Sequence, residues 1–301
     1  MIIIVEQRVK LIFCSTFYYQ LINMNISYII SVKKRMLKTK VGGNFMTNIV
    51  LIHGTWCDGS VWGEFVNELE KLGLNVYTPT LRYHDLPYEE VEKKVADVSL
   101  DEFTDDIVDF IETLDEDPIV LGHSLGGLLA QKVAMRTKTK GLILMGTAPA
   151  AGIFAFYPSM VICFYKHFLR WGFWKKSMPP YKHAFYDYCM NNQDEADKER
   201  EFSKLVPESG FTYFQMALPF LDKQKGAYID FEKVSEPVLV ITGSEDKMVH
   251  PNIAKATAKK YKNSTLSIIE GSDHMYEAPK YRDKTVEIID QWLKNIINKE
   301  L

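Results

Sequence analysis

A serine between two glycines is the residue of this chain best placed for covalent chemistry. The segment Leu121-Gly122-His123-Ser124-Leu125-Gly126-Gly127 follows an apolar, strand-like run and precedes a helix-like run. Gly-x-Ser-x-Gly between a strand and a helix is the nucleophile-elbow pattern, whose strained turn lifts the serine hydroxyl above the sheet edge. Gly122 and Gly126 suit that turn because side chains there would collide. The short motif also occurs by chance in glycine-rich turns, but its position after a strand predicts that Ser124 is a nucleophile.

A serine hydroxyl needs a general base, and that base is a histidine whose second ring nitrogen is held by a carboxylate. In elbow enzymes the chain order is serine, acid, histidine. Asp246 follows an apolar run at 238–241, and His274 follows a run at 264–269. Because parallel strands present their carboxyl ends at one edge of a sheet, Ser124, Asp246 and His274 are predicted to meet there.

Other acids and histidines compete for these roles. Glu245 and Asp273 neighbour the chosen acid and base, and both are predicted to be solvated loop residues. His53 and His123 lie inside motifs and are predicted to shape loops rather than to move protons. Four further histidines have no matching carboxylate signal, and a surface or pocket-lining position is expected for each: His84, His167, His183 and His250.

Four motifs together resemble the α/β-hydrolase family of serine hydrolases, and the resemblance covers residues 48–297. They occur in the family's order and are His53-Gly54-Thr55-Trp56, the elbow, Gly243–Asp246 and Gly271–His274. The resemblance implies that Ser124 is the nucleophile, His274 the general base and Asp246 the acid that orients it.

An oxyanion hole must stabilise the charge that develops when a serine attacks a carbonyl. One donor is expected to be the backbone N–H of Leu125, the residue after the nucleophile. The resemblance places the second donor at the backbone N–H of Thr55.

The elements that must hold these residues alternate along the chain. Strands are predicted at 49–52, 75–81, 118–121, 141–145, 237–242 and 264–269, and helices at 61–72, 100–114, 128–136, 251–262 and 280–297. Strands that alternate with helices indicate an α/β fold with a mostly parallel, doubly wound sheet of the α/β-hydrolase type. Residues 46–150 and 232–301 are predicted to form this core, and residues 151–231 a helical cap inserted into it.

The cap segment is rich in aromatic residues, which a cap needs for its own core and which would also make the substrate pocket apolar. Trp56, His123, Phe154 and Met275 are predicted to contact the substrate. A small or medium apolar carboxylic ester is therefore the expected substrate, cleaved through an acyl-enzyme. Hydrolysis of a thioester, an amide or a carbon–carbon bond on the same triad, the family's lyase or peroxidase chemistry, and a slow-hydrolysing ligand-binding receptor remain open.

The composition limits the partners and cofactors. The net charge of −3 gives no reason to expect a nucleic acid or a stable membrane partner. Four scattered cysteines without CxxC spacing indicate neither a zinc site nor a disulfide framework. No metal or other cofactor is expected, a cytoplasmic location is expected, and the oligomeric state is left open.

Residues 1–45 differ from the rest of the chain. Residues 11–32 carry no charge and are long enough to span a bilayer, but polar residues interrupt them repeatedly. Residues 41–45 can be back-translated into a purine-rich ribosome-binding site ahead of Met46. We therefore expect Met46 to be the biological start, with residues 1–45 being upstream sequence; a weak membrane anchor at 11–32 is the alternative.

Overall fold

Short, fully apolar runs form the centre of the fold. The structure is a computed structural model that describes residues 47–300, with side chains described through residue 296. In chain order, the eight strands of this part are β1 (Thr47–Ile52), β2 (Leu74–Tyr77), β3 (Ile119–His123), β4 (Gly141–Met145), β5 (Ser177–Met178), β6 (Glu208–Ser209), β7 (Val238–Gly243) and β8 (Ser264–Ile269). Six of them form one sheet in the order β2-β1-β3-β4-β7-β8.

Every pair of neighbouring strands in this sheet is parallel. Strands β3, β4 and β7 are buried along their whole length, because helices cover both faces of the sheet. This explains why these strands are continuous apolar runs rather than alternating ones. Strand β8 lies at the edge, where Leu266 and Ile268 are exposed. The prediction of a parallel, doubly wound α/β fold is confirmed.

The ten α-helices of the described residues flank the sheet or lie in the cap segment. They are α1 (Gly63–Lys71), α2 (Tyr88–Lys94), α3 (Leu100–Ile111), α4 (Leu125–Ala134), α5 (Pro158–Phe168), α6 (Lys182–Ala184), α7 (Glu195–Phe202), α8 (Gly210–Ala217), α9 (Pro251–Ala258) and α10 (Pro279–Glu300). Helix α3 begins as predicted after Ser99, whose hydroxyl accepts a hydrogen bond from the Glu102 N–H, while the Glu102 carboxylate accepts one from the Ser99 N–H. Helix α2 was not predicted.

The segment between β4 and β7 contains most of the irregular structure. Helices α5 to α8 lie in it, and α6 continues into a π-helical turn at Phe185–Cys189. Strands β5 and β6 pair antiparallel there, which a prediction of helices alone did not include. Two residues per strand are too few for an alternating pattern to be recognised in sequence. We use the name cap for the predicted range 151–231.

The predictions for the N-terminus, both the start at Met46 and the weak membrane segment at 11–32, lie outside the described residues. Over the part of the chain that is described, no helix has the length and apolarity needed to cross a bilayer.

Candidate active site

Ser124 lies in the turn between β3 and α4, in a backbone conformation that side chains rarely adopt. Its φ is +54° and its ψ is −120°. The turn is anchored on both sides: the Ser124 N–H donates to the Met145 carbonyl, and the Ser124 carbonyl accepts from the N–H groups of Gly127 and Ala148. These contacts hold a strained residue in place, as expected for a nucleophile elbow.

The two glycines of the motif are required by close backbone contacts. A Cβ atom at Gly122 would lie 2.1 Å from the Gly126 carbonyl oxygen, and one at Gly126 would lie 2.1 Å from the Ile52 carbonyl oxygen. Both distances are far below van der Waals contact, so strand, turn and helix can approach only without side chains at these positions. Side chains at Gly122 and Gly126 would therefore collide with the backbone, as the sequence predicts.

Asp246 and His274 lie in the loops after β7 and β8, and the structure brings them into direct contact. The His274 Nδ1 atom lies 2.7 Å from Asp246 Oδ2, and both side chains are buried. The second oxygen, Asp246 Oδ1, accepts a hydrogen bond from the Val249 N–H at 2.8 Å. Because a carboxylate can only accept, Nδ1 carries the proton and Nε2 is left as the basic atom. The Nε2 atom is buried and has no hydrogen-bond partner among the described residues.

Electrostatics favour the protonated form of His274. Burial opposes a charge on the ring, but the Asp246 carboxylate and its hydrogen bond outweigh burial, so the pKa of His274 is raised above its ordinary value. Tyr276 also donates a hydrogen bond to Asp246 Oδ2. The tyrosine contact was not predicted, because nothing in the spacing of Tyr276 and Asp246 marks them as partners.

The ring of His274 lies close to the elbow. Its centroid is 4.6 Å from that of His123, the residue before Ser124. His123 Nε2 lies 2.8 Å from the His274 carbonyl oxygen, so Nε2 must be the donor. Gly146, at the end of β4, makes room on the other side, because a Cβ there would lie 3.0 Å from His274 Cε1. His123 therefore holds the backbone of His274 and, as predicted, shapes the loop.

The two residues predicted to supply oxyanion donors, Leu125 and Thr55, lie near Ser124. Leu125 is the first residue of α4, where helical N–H groups lack partners within the helix. Thr55 lies in the turn after β1, and its neighbour Gly54 is so near that a Cβ there would be 3.0 Å from Ser124 Cβ. Within residues 47–300, neither the Leu125 nor the Thr55 N–H donates to an acceptor.

A cavity of about 550 Å³ opens beside Ser124. Its polar side chains are Ser124, Thr55 and Tyr213, and the Thr55 hydroxyl is hydrogen-bonded to the Tyr213 hydroxyl at 2.8 Å. No charged side chain of the described part lines it. The apolar lining comes from the loop after β4, from α5, from the end of α8 and from the loop after Asp246. Tyr213 was not predicted as a site residue, since an isolated cap tyrosine carries no sequence signal.

Of the four residues predicted to contact substrate, the structure places Phe154 on the cavity wall and the other three elsewhere. Trp56 is buried, and its Nε1 donates to the Met178 carbonyl at 2.9 Å, so it joins the first loop to cap strand β5. Met275 is buried against the Cys189 sulfur. His123 is occupied with the His274 carbonyl. We therefore do not include Trp56, Met275 or His123 among the proposed substrate contacts.

Two of the competing residues, Asp273 and His84, are buried where a solvated, surface or pocket-lining position was expected. Asp273 is fully buried rather than solvated, and its carboxylate accepts hydrogen bonds from the Asn192 N–H and the Gln193 side chain. His84 is also buried, with Nε2 3.2 Å from a buried carboxylate oxygen of Glu208 in the cap. Both partners are distant in sequence, which is why the pairs could not be predicted.

The remaining histidines lie away from the cavity wall. His53 is held between the Gly54 carbonyl and the Leu81 N–H, and burial lowers its pKa to about 3, so it shapes its loop as predicted. His167 is buried beside Trp56 rather than at the surface. His250 stacks on Tyr157 with ring centroids 3.9 Å apart. Within the described residues, no group of three or more histidine, cysteine or acidic side chains is arranged to hold a metal ion.

Comparison with known proteins gives one family and several similar proteins. The model of the family described as "Alpha/beta hydrolase family" matches residues 49–284, well over half of the chain. The carbendazim hydrolyzing esterase of Nocardioides sp. is 33% identical over 96 residues, which are 32% of this chain and 38% of that protein. The pyrethroid hydrolase of Sphingobium wenxiniae is 33% identical over 111 residues, 36% of this chain and 39% of that protein. The chain thus matches less than two fifths of the length of either relative.

A solved structure extends the comparison to the whole fold. An extracellular alpha/beta-hydrolase from a Paenibacillus species superposes with a TM-score of 0.60 at 22% identity, over 81% of this chain and 98% of that one. At this identity the likeness shows the fold.

Proposed function

Because the chain belongs to the alpha/beta hydrolase family, we propose that it is a serine hydrolase that cleaves apolar carboxylic esters through a covalent acyl-enzyme. The observation that carries the proposal is a strained serine on the wall of an apolar cavity, close to a histidine whose free Nε2 faces away from its carboxylate. In this proposal Ser124 is the nucleophile, His274 the general base and Asp246 the residue that orients it.

The proposed reaction has two steps. The Ser124 Oγ attacks the ester carbonyl carbon while its proton passes to His274 Nε2, and the carbonyl oxygen becomes an oxyanion held by the N–H groups of Thr55 and Leu125. The tetrahedral intermediate collapses, and the alcohol leaves with the proton from His274. Water then attacks the acyl-enzyme with His274 again as base, and the free acid and Ser124 are released.

The cavity favours a neutral, apolar substrate. A charged group would lose its hydration on entering a cavity without charged side chains, at a cost of several kcal/mol. A volume of about 550 Å³ fits the range of small-molecule sites and holds a medium-sized ester. Two partial relatives carry the names of an esterase and a pyrethroid hydrolase, which agrees with ester cleavage.

The proposal is tested with nitrophenyl esters of increasing chain length and with a fluorophosphonate probe. We expect turnover of short and medium esters, covalent labelling at Ser124, and a loss of kcat by several orders of magnitude in Ser124→Ala, with roughly 10³-fold catalysis over water remaining. Ser60→Ala is the matched control, because Ser60 is exposed and lies outside the cavity.

Two results would contradict the mechanism: full esterase activity in Ser124→Ala, or no labelling of the wild-type chain. Turnover of matched thioesters or amides in preference to all esters would keep the triad but replace the substrate class.

A further inference from the structure

The cap carries an exposed apolar surface around the mouth of the cavity. Fourteen large apolar side chains are exposed among the described residues, and ten of them lie between 154 and 221. We call these ten the cap patch: Phe154, Phe156, Val161, Ile162, Tyr165, Phe168, Leu169, Trp171, Phe220 and Leu221. Exposed apolar residues are normally scattered singly, and a cluster of this kind marks an interaction surface.

The cap patch is continuous with the cavity. Five of its members also line the cavity, so each has one face inside and one face in solvent: Phe154, Phe156, Val161, Phe168 and Phe220. The rest extend the surface outward, and Leu169 and Trp171 are the most exposed, at 79% and 86%. A ligand therefore passes over apolar side chains before it reaches Ser124.

Helix α5 is apolar on its outer face as well as its inner one. Cys163, Phe164 and His167 face the interior, whereas the solvent-exposed side is made of Val161, Ile162, Tyr165 and Phe168, with Lys166 as its single charge. A helix that is apolar all round is stable only where something other than water covers its outer face.

The charge around the cap patch identifies the covering surface. Residues 151–186 contain five lysine or arginine residues and no aspartate or glutamate, although the whole chain has a net charge of −3. In the described part of the chain, Lys166, Arg170, Lys175 and Lys176 form no ion pair with a carboxylate. Two of them donate to backbone carbonyls instead, Arg170 to Ser177 and Lys176 to Trp171, so their charges are not neutralised. Exposed tryptophan and tyrosine beside cations that lack a carboxylate partner are typical of segments at the headgroup level of an anionic bilayer.

We propose that the cap patch docks on a membrane surface that carries anionic lipids, with the mouth of the cavity facing the bilayer. The apolar side chains enter the boundary between headgroups and acyl chains, and Lys166, Arg170, Lys175 and Lys176 lie among the headgroups. Helix α5 has 11 residues and is about 16 Å long, half the thickness of the hydrocarbon core, so it lies in the interface. This proposal differs from the expectation, drawn from net charge, that the chain has no stable membrane partner.

Docking would change how the substrate arrives. An apolar ester dissolved in the bilayer would enter the cavity directly from the lipid and would not have to cross water. This consequence rests on the proposed function, but the docking itself does not, and it can be measured without any hydrolysis.

The test is a vesicle flotation assay with the full-length Ser124→Ala chain, in which hydrolysis of lipid should be too slow to alter the vesicles. Vesicles of phosphatidylcholine alone are compared with vesicles containing 30% phosphatidylglycerol, each at 0.1 M and at 0.5 M salt. The Debye length is about 10 Å at 0.1 M and is shorter at 0.5 M, so the higher salt screens attraction between the cations and the lipid headgroups. We expect binding to the anionic vesicles that weakens with salt. Replacing both Lys175 and Lys176 by glutamine should weaken it by roughly fivefold for each lost cation.

The patch itself is tested by Leu169→Glu/Trp171→Glu. Neither residue lines the cavity, so activity on a soluble ester should be unchanged while the vesicle partition coefficient falls by roughly tenfold or more. Ile268→Glu is the matched control, because Ile268 is 45% exposed on edge strand β8, outside the cap.

Three outcomes would overturn the proposal. Equal binding by wild type and Leu169→Glu/Trp171→Glu would place the membrane contact elsewhere in the chain. An absence of binding to either vesicle would exclude a lipid partner. A wild-type dimer in sedimentation that becomes monomeric in this variant, without vesicle binding, would show that a second copy covers the cap patch.

Discussion

Replacing Glu277 by glutamine is expected to stabilise the protein, and to do so only above mildly acidic pH. Glu277 is buried beside the candidate active site, and neither carboxylate oxygen has a hydrogen-bond partner in the described part of the chain. Its nearest basic group is His123 Nδ1 at 3.8 Å, and burial together with His274 keeps the pKa of His123 well below its ordinary value. Glu277 thus has no hydrogen-bonded cation among the described residues, and the nearby His274 ring, which favours its ionised form, does not outweigh burial.

The magnitude follows from the pKa of Glu277, which burial raises from 4.5 to about 7. Below pH 4.5 the carboxyl is protonated in both the folded and the unfolded state, so it contributes no pH dependence. Between pH 4.5 and 7 the unfolded chain releases this proton first, and the free energy of unfolding therefore falls as pH rises. One pKa unit corresponds to 1.36 kcal/mol, so the loss reaches roughly 3 kcal/mol above pH 7.

Glutamine has nearly the shape of protonated glutamate and does not ionise. Urea unfolding, followed by tryptophan fluorescence, should give similar free energies of unfolding for wild type and Glu277→Gln at pH 4.5. The variant should be more stable by roughly 3 kcal/mol at pH 8. Glu245→Gln is the control, because Glu245 is exposed next to Asp246, and its stability difference should be small at every pH.

A second readout of the same variant concerns catalysis. The negative charge of ionised Glu277 contributes to the raised pKa of His274, after the larger effects of burial and Asp246. Since kcat/KM rises as His274 loses its proton, Glu277→Gln should move the rising limb of the pH profile to lower pH. A stability difference that is the same at pH 4.5 and pH 8, or a limb that moves to higher pH, would refute this account of Glu277.

Three further predictions follow from the contacts at the site. Asp246→Asn should lower kcat by roughly 10⁴-fold. The rising limb of the pH profile of kcat/KM should also move to lower pH, because the Asp246 carboxylate raises the pKa of His274. An unchanged limb would contradict that cause. Gly146→Ala should lower kcat with little change in KM and should lower the free energy of unfolding by roughly 1–3 kcal/mol. The reason is that Gly146 has a φ of +50° and that the added Cβ would lie 2.7 Å from Tyr276 and 3.0 Å from His274. Steady-state kinetics test the first effect and urea unfolding the second. Trp56→Phe should lower the free energy of unfolding by roughly 1–3 kcal/mol, because the hydrogen bond to the Met178 carbonyl is lost. It should leave KM unchanged, and a raised KM would show that Trp56 contacts the substrate.

Local pattern was sufficient for the core of the fold. Strands β4 and β8 begin and end where the sequence predicts. For β4 the reason is that a continuous apolar run bounded by turn residues has few other conformations that bury it. The motif residues could be placed at one sheet edge for the same reason, since parallel strands present all their carboxyl ends there. The cap was harder, because β5 and β6 are held by pairing with each other rather than by any local preference.

The sequence by itself determined which residues are chemically capable and in what order they occur: the elbow serine, a carboxylate and a histidine, each after a strand. Only the tertiary structure decided which neighbouring residues line the cavity and which are buried in other contacts. Trp56 became a link to the cap, Asp273 and His84 were buried with partners more than 75 residues away, and Tyr213 reached the cavity from α8. Hydrogen bonds and burial at such separations depend on how the cap packs on the sheet. That packing arises from many side chains at once and leaves no periodic signal in the chain.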